Sequence, residues 1–211
     1  MKIKLSQTDI FTALLCLTGM IPGIMFYSEL PEKLPVHFDI NDEPSNFADK
    51  AFVIFAIPLL MAVFQLVCCA FAFNREGDKV PKKVIQICRF IIPFITIFLQ
   101  TLTVMYALDR RIKIGVAVMI FLSVLMIIIG NYLPKCRKNS VFGIKFPSTL
   151  KSDHVWDKTH RLAGILYIIS GITAIPLSLA DMLIPAFTVI MCALLIPIAY
   201  SFAAANNENR S

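Results

Sequence analysis

The residues best able to do chemistry are gathered in one polar interval, residues 131–160, of a chain that is otherwise mostly apolar. Counted on to Arg161, this interval holds seven of the twenty Lys and Arg, two of the three His and the only Trp. Its cationic side chains suit a phosphate group or an anionic lipid surface. The chain shows no nucleophile paired with a general base, no His-Glu-x-x-His and no phosphate-binding glycine loop, so we expect neither an enzyme nor a bound cofactor.

Composition places this interval in a membrane protein. Hydrophobic residues make up 57% of the 211 residues, and the mean hydropathy is +0.74, whereas globular domains are roughly 45–50% apolar. Because apolar runs occupy most of the length, we expect a single membrane domain over residues 1–211. The net charge of +6 lies in short loops between the runs, which favours contact with membrane lipids over direct nucleic-acid binding.

Neither the cysteines nor the acidic residues predict a metal site. Five of the six cysteines fall inside apolar runs and no Cys-x-x-Cys occurs, so a disulfide framework and a thiolate metal site are both disfavoured. In residues 28–50, His37 stands beside Asp39 among further carboxylates. No ligand spacing there is specific, so a solvated acidic loop is favoured over a metal site.

Six apolar runs are long enough to cross a bilayer as helix, which takes about 20 residues. They predict an all-α, polytopic membrane protein with six transmembrane helices. The first run exceeds the apolar region of a signal peptide and lacks a small-residue cleavage site, so it counts as a span. The runs are residues 10–27, 51–73, 84–108, 114–133, 162–180 and 182–205.

The distribution of basic residues predicts the orientation. With a cytoplasmic N-terminus, fifteen of the twenty Lys and Arg fall inside and five outside, so we expect both termini in the cytoplasm. Residues 1–83 then form a first hairpin whose acidic loop, residues 28–50, is extracellular, and loop 134–161 is cytoplasmic. Arg89, one to two turns into the third run, is expected to snorkel towards the near interface.

The first half of the central loop has the pattern of a short extended segment. Apolar side chains alternate with Gly143 and Lys145 across residues 142–146, which suits a segment lying against the membrane or the bundle mouth. Gly143 permits a backbone conformation or close approach that other residues resist. Asn131, at the edge of the fourth run, is placed to hydrogen-bond a neighbouring helix or the returning loop.

The second half of the loop predicts a helix that continues into the fifth span. Ser152 is a candidate N-cap, and Trp156, His160 and Gly164 follow on one helix face. Trp156 is expected to anchor the helix at the membrane interface, and His160 to be a hydrogen-bonded interfacial residue rather than a base or ligand. His154 and His160 do not share a face, which disfavours a two-His metal pair.

A set of residues in this region matches a known pattern. The set is Gly130, Asn131, Asn139, Phe142, Gly143, Ile144, Lys145, Pro147, Thr149, Leu150, Trp156, Thr159 and His160. It resembles the signature of the SdpI-type immunity family, which consists of bacterial multi-span membrane proteins, and marks residues 114–205 as the signature region. Lys145 stands where Arg is usual, Phe146 where Thr is usual and Ser148 where Trp is usual. Lysine cannot form the bidentate fork of arginine, so any anion clamp at residue 145 is weakened.

A second resemblance lies in the acidic loop. The matching residues are Leu34, Pro35, Val36, His37, Phe38, Phe47 and Lys50, with Asp42 where a glycine is usual. They are similar to a small domain of unknown function that often precedes the signature.

The resemblance implies immunity in the bacterial plasma membrane. Family members protect a producing cell from its own secreted membrane-active peptide, and one is thought also to signal by drawing an ArsR-type repressor to the membrane. The implied partners are therefore a toxin peptide, such a repressor and membrane lipids. Two alternatives remain: a transporter or lipid head-group-handling protein using Arg137, Lys138 and Lys145, and a receptor that sequesters a cytoplasmic regulator.

Overall fold

A computed structural model describes residues 5–39, 42–73, 80–109, 112–139 and 142–208. Backbone contacts divide the chain into two compact units, one built on the first three spans and one on the last three. Within the described residues, six helices are long and apolar enough to cross a membrane, which confirms the expected helical membrane protein. These are Gln7–Met25, Phe52–Phe71, Lys82–Ala107, Ile114–Lys135, Asp153–Leu179 and Leu183–Glu208.

The first span is broken into α1 (Gln7–Leu17) and α2 (Met20–Met25). Ser6 and Asp9 form a reciprocal capping box, in which the Asp9 carboxylate accepts from the Ser6 backbone N–H at 2.8 Å. In α2, a Cβ on Gly23 would lie 2.7 Å from the Ile54 side chain. Glycine therefore permits the close packing of the first span on the second.

The loop between the first two spans forms a β-hairpin, which the sequence did not predict. Strand β1 (Lys33–Phe38) pairs antiparallel with β2 (Pro44–Asp49), with Leu34 opposite Ala48. Leu34 is fully buried in an apolar cluster with Leu30, and the helices of the unit supply the rest of that cluster. The prolines exclude a helix here, and burial of Leu34 selects the hairpin.

The second span has π-helical turns at both ends. They are Phe52–Ala56 and Cys69–Phe73, on either side of α3 (Ile57–Cys68). Pro58 has no N–H for the preceding turn, and the freed carbonyl of Val53 accepts a 2.7 Å hydrogen bond from Gln100 Nε2 on the third span, α4 (Lys82–Ala107).

A buried ion pair joins the first and third spans. Arg89 Nε lies 2.9 Å from Asp9 Oδ1, and the side chains are 15% and 0% exposed. Gln65 Nε2 donates to Thr12 Oγ1 at 2.9 Å and to the Arg89 carbonyl at 2.7 Å. The snorkelling of Arg89 towards the near interface stays a prediction, and the carboxylate of Asp9, just before the first predicted span, compensates its charge inside the unit.

The second unit packs three long helices around small residues. They are α5 (Ile114–Tyr132), which ends in a 3₁₀ turn (Leu133–Lys135), α7 (Asp153–Leu179) and α8 (Leu183–Glu208), with the short α6 (Pro147–Lys151) before α7. A Cβ on Gly164 of α7 would lie 2.8 Å from the Gly130 carbonyl of α5. Helices α7 and α8 form a tight antiparallel hairpin, with Asp181 at φ 60° in its turn.

Candidate functional site

The candidate site is the segment that connects α5 to α7, here called the signature loop (residues 134–152, described except for 140–141). The carboxamide of Asn139 organises its first turn. Asn139 Oδ1 accepts from the Phe142 N–H at 2.7 Å, and Nδ2 donates to the Arg137 and Phe142 carbonyls at 2.8 and 3.1 Å. Asn139 is 4% exposed, so water does not reach its carboxamide. The side chain instead satisfies backbone N–H and C=O groups of this turn.

Gly143 brings the chain against α7. Its φ of +121° lies in the region that favours glycine, and a Cβ there would collide with His160 Nε2. The next residue, Ile144, donates its N–H to His160 Nε2 at 3.0 Å. The special backbone that the sequence predicts at Gly143 is confirmed, and it serves contact between the loop and a buried histidine.

His160 is held in one tautomer by its partners. Nε2 accepts from Ile144, so the proton resides on Nδ1, which donates to the Trp156 carbonyl at 2.7 Å. The ring stacks on Trp156 with centroids 3.9 Å apart, and it is 1% exposed. The expected hydrogen-bonded role is confirmed, and both ring nitrogens are committed inside the protein.

Trp156 is fully buried and holds the start of the loop through a hydrogen bond. Its Nε1–H donates to the Cys136 carbonyl at 2.8 Å. The expected anchoring at the membrane interface is therefore wrong. The side chain has an internal acceptor and the ring of His160 to stack on, and these contacts draw it into the core rather than to the headgroups. Burial also raises the pKa of the neighbouring Cys136 thiol to about 11.

The hydroxyl group of Thr149 stabilises the second half of the loop through hydrogen bonds. It donates to the Ile144 carbonyl at 2.7 Å and accepts from the Phe146 N–H at 3.1 Å. The predicted alternation across residues 142–146 holds, since Ile144 is buried, both phenylalanines pack on the core and Lys145 is exposed. Ser152 caps α7 as predicted, accepting from the Val155 N–H at 3.3 Å.

The signature loop is also tied to α8. Ser148 Oγ lies 2.8 Å from Ser201 Oγ, both side chains being buried. The Phe146 and Phe202 rings meet edge to face at 5.7 Å, and Ser152 Oγ donates to Glu208 Oε1 at 2.9 Å. Sequence reasoning did not select Ser201 or Phe202, because nothing in residues 182–205 distinguishes them from other small or aromatic residues of a span, and Glu208 falls in the polar tail beyond the sixth apolar run.

The signature residues thus fall into two sets. Asn139, Phe142, Gly143, Ile144, Thr149, Trp156 and His160 meet in one interlocked network, as the hydrogen bonds above show. Asn131, Lys145 and Pro147 form the second set, which is exposed. Thr159 is fully buried, and its hydroxyl has no hydrogen-bond partner among the described residues.

The hairpin residues belong to the first unit, whereas the network belongs to the second. Phe38 meets Tyr106 edge to face at 4.9 Å, and Lys50 forms a 2.9 Å ion pair with Glu32 while lying 4.8 Å from the Tyr27 ring centre. Pro35 is buried opposite Phe47, which is 51% exposed, and His37 is exposed. Among the described residues, no group of three His, Cys, Asp or Glu could hold a metal ion.

The fold and this site define a class: a six-span helical membrane protein whose last three spans carry an internally hydrogen-bonded polar loop. Residues 135–201 match the model of the SdpI/YfhL protein family, and residues 14–62 match a domain of unknown function, DUF1648. The chain is 22% identical over 165 residues to the immunity protein SdpI of Bacillus subtilis (strain 168), covering 78% of each chain. No solved structure matches significantly. Both resemblances that the sequence suggests are confirmed.

Proposed function

We propose that this protein is an immunity protein of the bacterial plasma membrane, which gives its cell tolerance to a secreted membrane-active peptide. The observation that carries the proposal is the signature loop. The segment that matches the SdpI/YfhL family is the one that the chain folds into a buried network around His160. A relative called an immunity protein matches across both units. The proposed role involves binding rather than catalysis.

The charge of the hairpin loop supports a cationic peptide as the partner. Residues 28–50 contain six acids and two bases, and one of these bases, Lys50, is already paired with Glu32. The predicted orientation places this loop outside the cell, where a secreted peptide arrives. An acidic surface raises the local concentration of a cationic peptide and its association rate.

The proposal is tested by survival. A peptide-sensitive strain expressing the protein is exposed to a panel of secreted, membrane-active peptides beside a strain carrying an empty vector. We expect growth at peptide concentrations that stop the control, at membrane levels verified by immunoblot. Equal killing of both strains by every peptide contradicts the proposed immunity.

A second role, signalling, is favoured by the exposed part of the signature loop. Arg137 and Lys145 are exposed on the loop that is predicted to be cytoplasmic. They offer a basic surface to an acidic face of an ArsR-type repressor, the partner that the family resemblance implies. A fluorescent repressor should move to the membrane with the wild-type protein and remain cytoplasmic with an Arg137→Ala, Lys145→Ala double variant. Equal recruitment by both contradicts this surface.

A further inference from the structure

Two cavities are lined by residues of α7 and α8, and together they are called the groove. A polar cavity of about 470 Å³ sits at the end of the hairpin, lined by His154 and Lys158 from α7 and by Tyr200, Asn207, Glu208 and two alanines from α8. An apolar cavity of about 220 Å³ lies deeper, lined by residues that include Leu166, Ile169, Cys192 and Ile196. Both are formed by these two helices alone.

The residues that line the two cavities follow one another along both helices. On α8, Ile196 of the apolar cavity and Tyr200 of the polar cavity are one helical turn apart, about 6 Å. On α7, Lys158 and Leu166 are separated by about 12 Å. Because the predicted spans begin at residue 162 and end at residue 205, we expect the polar cavity at headgroup depth and the apolar cavity within the hydrocarbon.

The walls of the polar cavity carry opposite charges. Lys158 is exposed on α7, with Arg161 one turn further along the same helix. Glu208 stands on the α8 wall, where its carboxylate accepts from Ser152 Oγ at 2.9 Å. Lys158 therefore offers a cation to a phosphate, and Glu208 offers an acceptor to an ammonium group on the other side of the cavity.

We propose that this groove binds one phospholipid with a primary ammonium headgroup, phosphatidylethanolamine, in the leaflet on the side of the signature loop. The phosphate lies at Lys158, the ammonium group donates to Glu208, and one acyl chain follows α8 past Ile196 into the apolar cavity. A quaternary choline has no N–H to donate to Glu208, and the cavity offers Tyr200 but no cage of aromatic rings. Phosphatidylglycerol has no cation to pair with the carboxylate.

This site differs from the headgroup site that the sequence suggested at Arg137, Lys138 and Lys145. Lys138 forms a 2.7 Å ion pair with Asp153, and none of the three lines the groove. The inference also goes beyond the proposed immunity, because it concerns a lipid of the cell's own membrane and holds whether or not a toxin is recognised.

The test is lipid binding to the purified full-length protein in detergent, followed by native mass spectrometry. Phosphatidylethanolamine, phosphatidylglycerol and phosphatidylcholine with identical acyl chains are added at equal concentration. We expect preferential binding of phosphatidylethanolamine, weakened about tenfold in Lys158→Ala and in Glu208→Gln, since each loses one charge-assisted contact. Ala203→Trp, which fills the polar cavity from an exposed position, should abolish the preference.

Lys151→Ala is the matched control, because Lys151 is an exposed base at the same end of the unit that does not line the groove. Its binding should equal that of the wild type, and all variants should share the wild-type unfolding temperature. Equal binding of the three lipids overturns the proposal. Preference for phosphatidylglycerol that survives Glu208→Gln overturns the ammonium assignment and indicates a site for anionic lipid.

Discussion

The imidazole of His160 accepts a hydrogen bond from the backbone N–H of Ile144, sixteen residues earlier in the chain, at 3.0 Å. This bond joins a membrane-spanning helix to the middle of the signature loop. It explains the glycine at residue 143, since a side chain there would occupy the space of the ring. His160 thus holds the loop on α7 together with Trp156, and changes at Gly143 or His160 should loosen the loop.

Replacing the histidine tests this directly. His160→Ala removes the acceptor of the Ile144 N–H and the partner that stacks on Trp156, and should lower the stability of the second unit by about 2–4 kcal/mol. Thermal unfolding in detergent and limited proteolysis at residues 137–146 measure the effect. His154→Ala is the control, because His154 is exposed. Equal unfolding temperatures for the two variants would contradict the role of His160.

Gly143→Ala should disturb the contact between the loop and His160 while leaving its donor and acceptor groups in place. The positive φ and the collision with His160 together predict a loss of about 2–4 kcal/mol. Peptide tolerance should fall with stability, and the loop should become sensitive to protease. Lys145→Ala, two residues away and exposed, serves as the comparison and should leave the unfolding temperature unchanged. An alanine accepted at residue 143 without cost would mean that the loop packs differently.

Lys145 should matter for function and not for folding. Its side chain is exposed, and arginine is the usual residue at this position of the family pattern. Under the proposed function, Lys145→Ala should reduce peptide tolerance at an unchanged unfolding temperature, and Lys145→Arg should protect at least as well as the wild type because the fork of arginine binds anions more strongly. Survival curves at matched membrane levels measure both. Full protection by Lys145→Ala would remove this residue from the mechanism.

The thiol of Cys136 should react slowly. Burial raises its pKa to about 11, so the reactive thiolate is scarce at pH 7 to 8 and increases about tenfold per pH unit up to that value. Maleimide labelling of the native protein, read by peptide mass spectrometry, should leave Cys136 largely unmodified. Trp156→Ala, which removes the donor to the Cys136 carbonyl, should expose it. A Lys145→Cys variant reports normal thiol reactivity, and labelling of native Cys136 at the same rate would contradict its burial.

Breaking the ion pair of the first unit should be costly. Arg89→Met leaves the carboxylate of Asp9 buried without its counter-charge, which predicts a loss of about 3–5 kcal/mol. The double variant Asp9→Asn, Arg89→Met should recover part of that loss, because no charge is then buried alone. Unfolding temperatures in detergent complete the double-mutant cycle. Lys83→Met, an exposed base on the same helix, should have little effect, and an equally small effect of Arg89→Met would contradict the stabilising role of the ion pair.

The sequence by itself determined the elements that follow from local pattern. Apolar run length sets six spans, because the bilayer requires about 20 residues of helix for each. Ser152 sets the start of α7 through its hydroxyl, and the alternation across residues 142–146 sets which side chains face the core. Gly143 was recognisable as a special backbone position because no other residue adopts its conformation at low cost.

The tertiary structure decided which partner each polar side chain meets. Trp156 and Arg89 carry groups that suit a membrane interface, and a sequence pattern alone places them there. Only the folded chain brings the Cys136 carbonyl to the indole and the Asp9 carboxylate to the guanidinium, and those contacts make burial more favourable than solvation. The β-hairpin arose in the same way, since its short strands are stable only when Leu34 is buried against the helices of its unit.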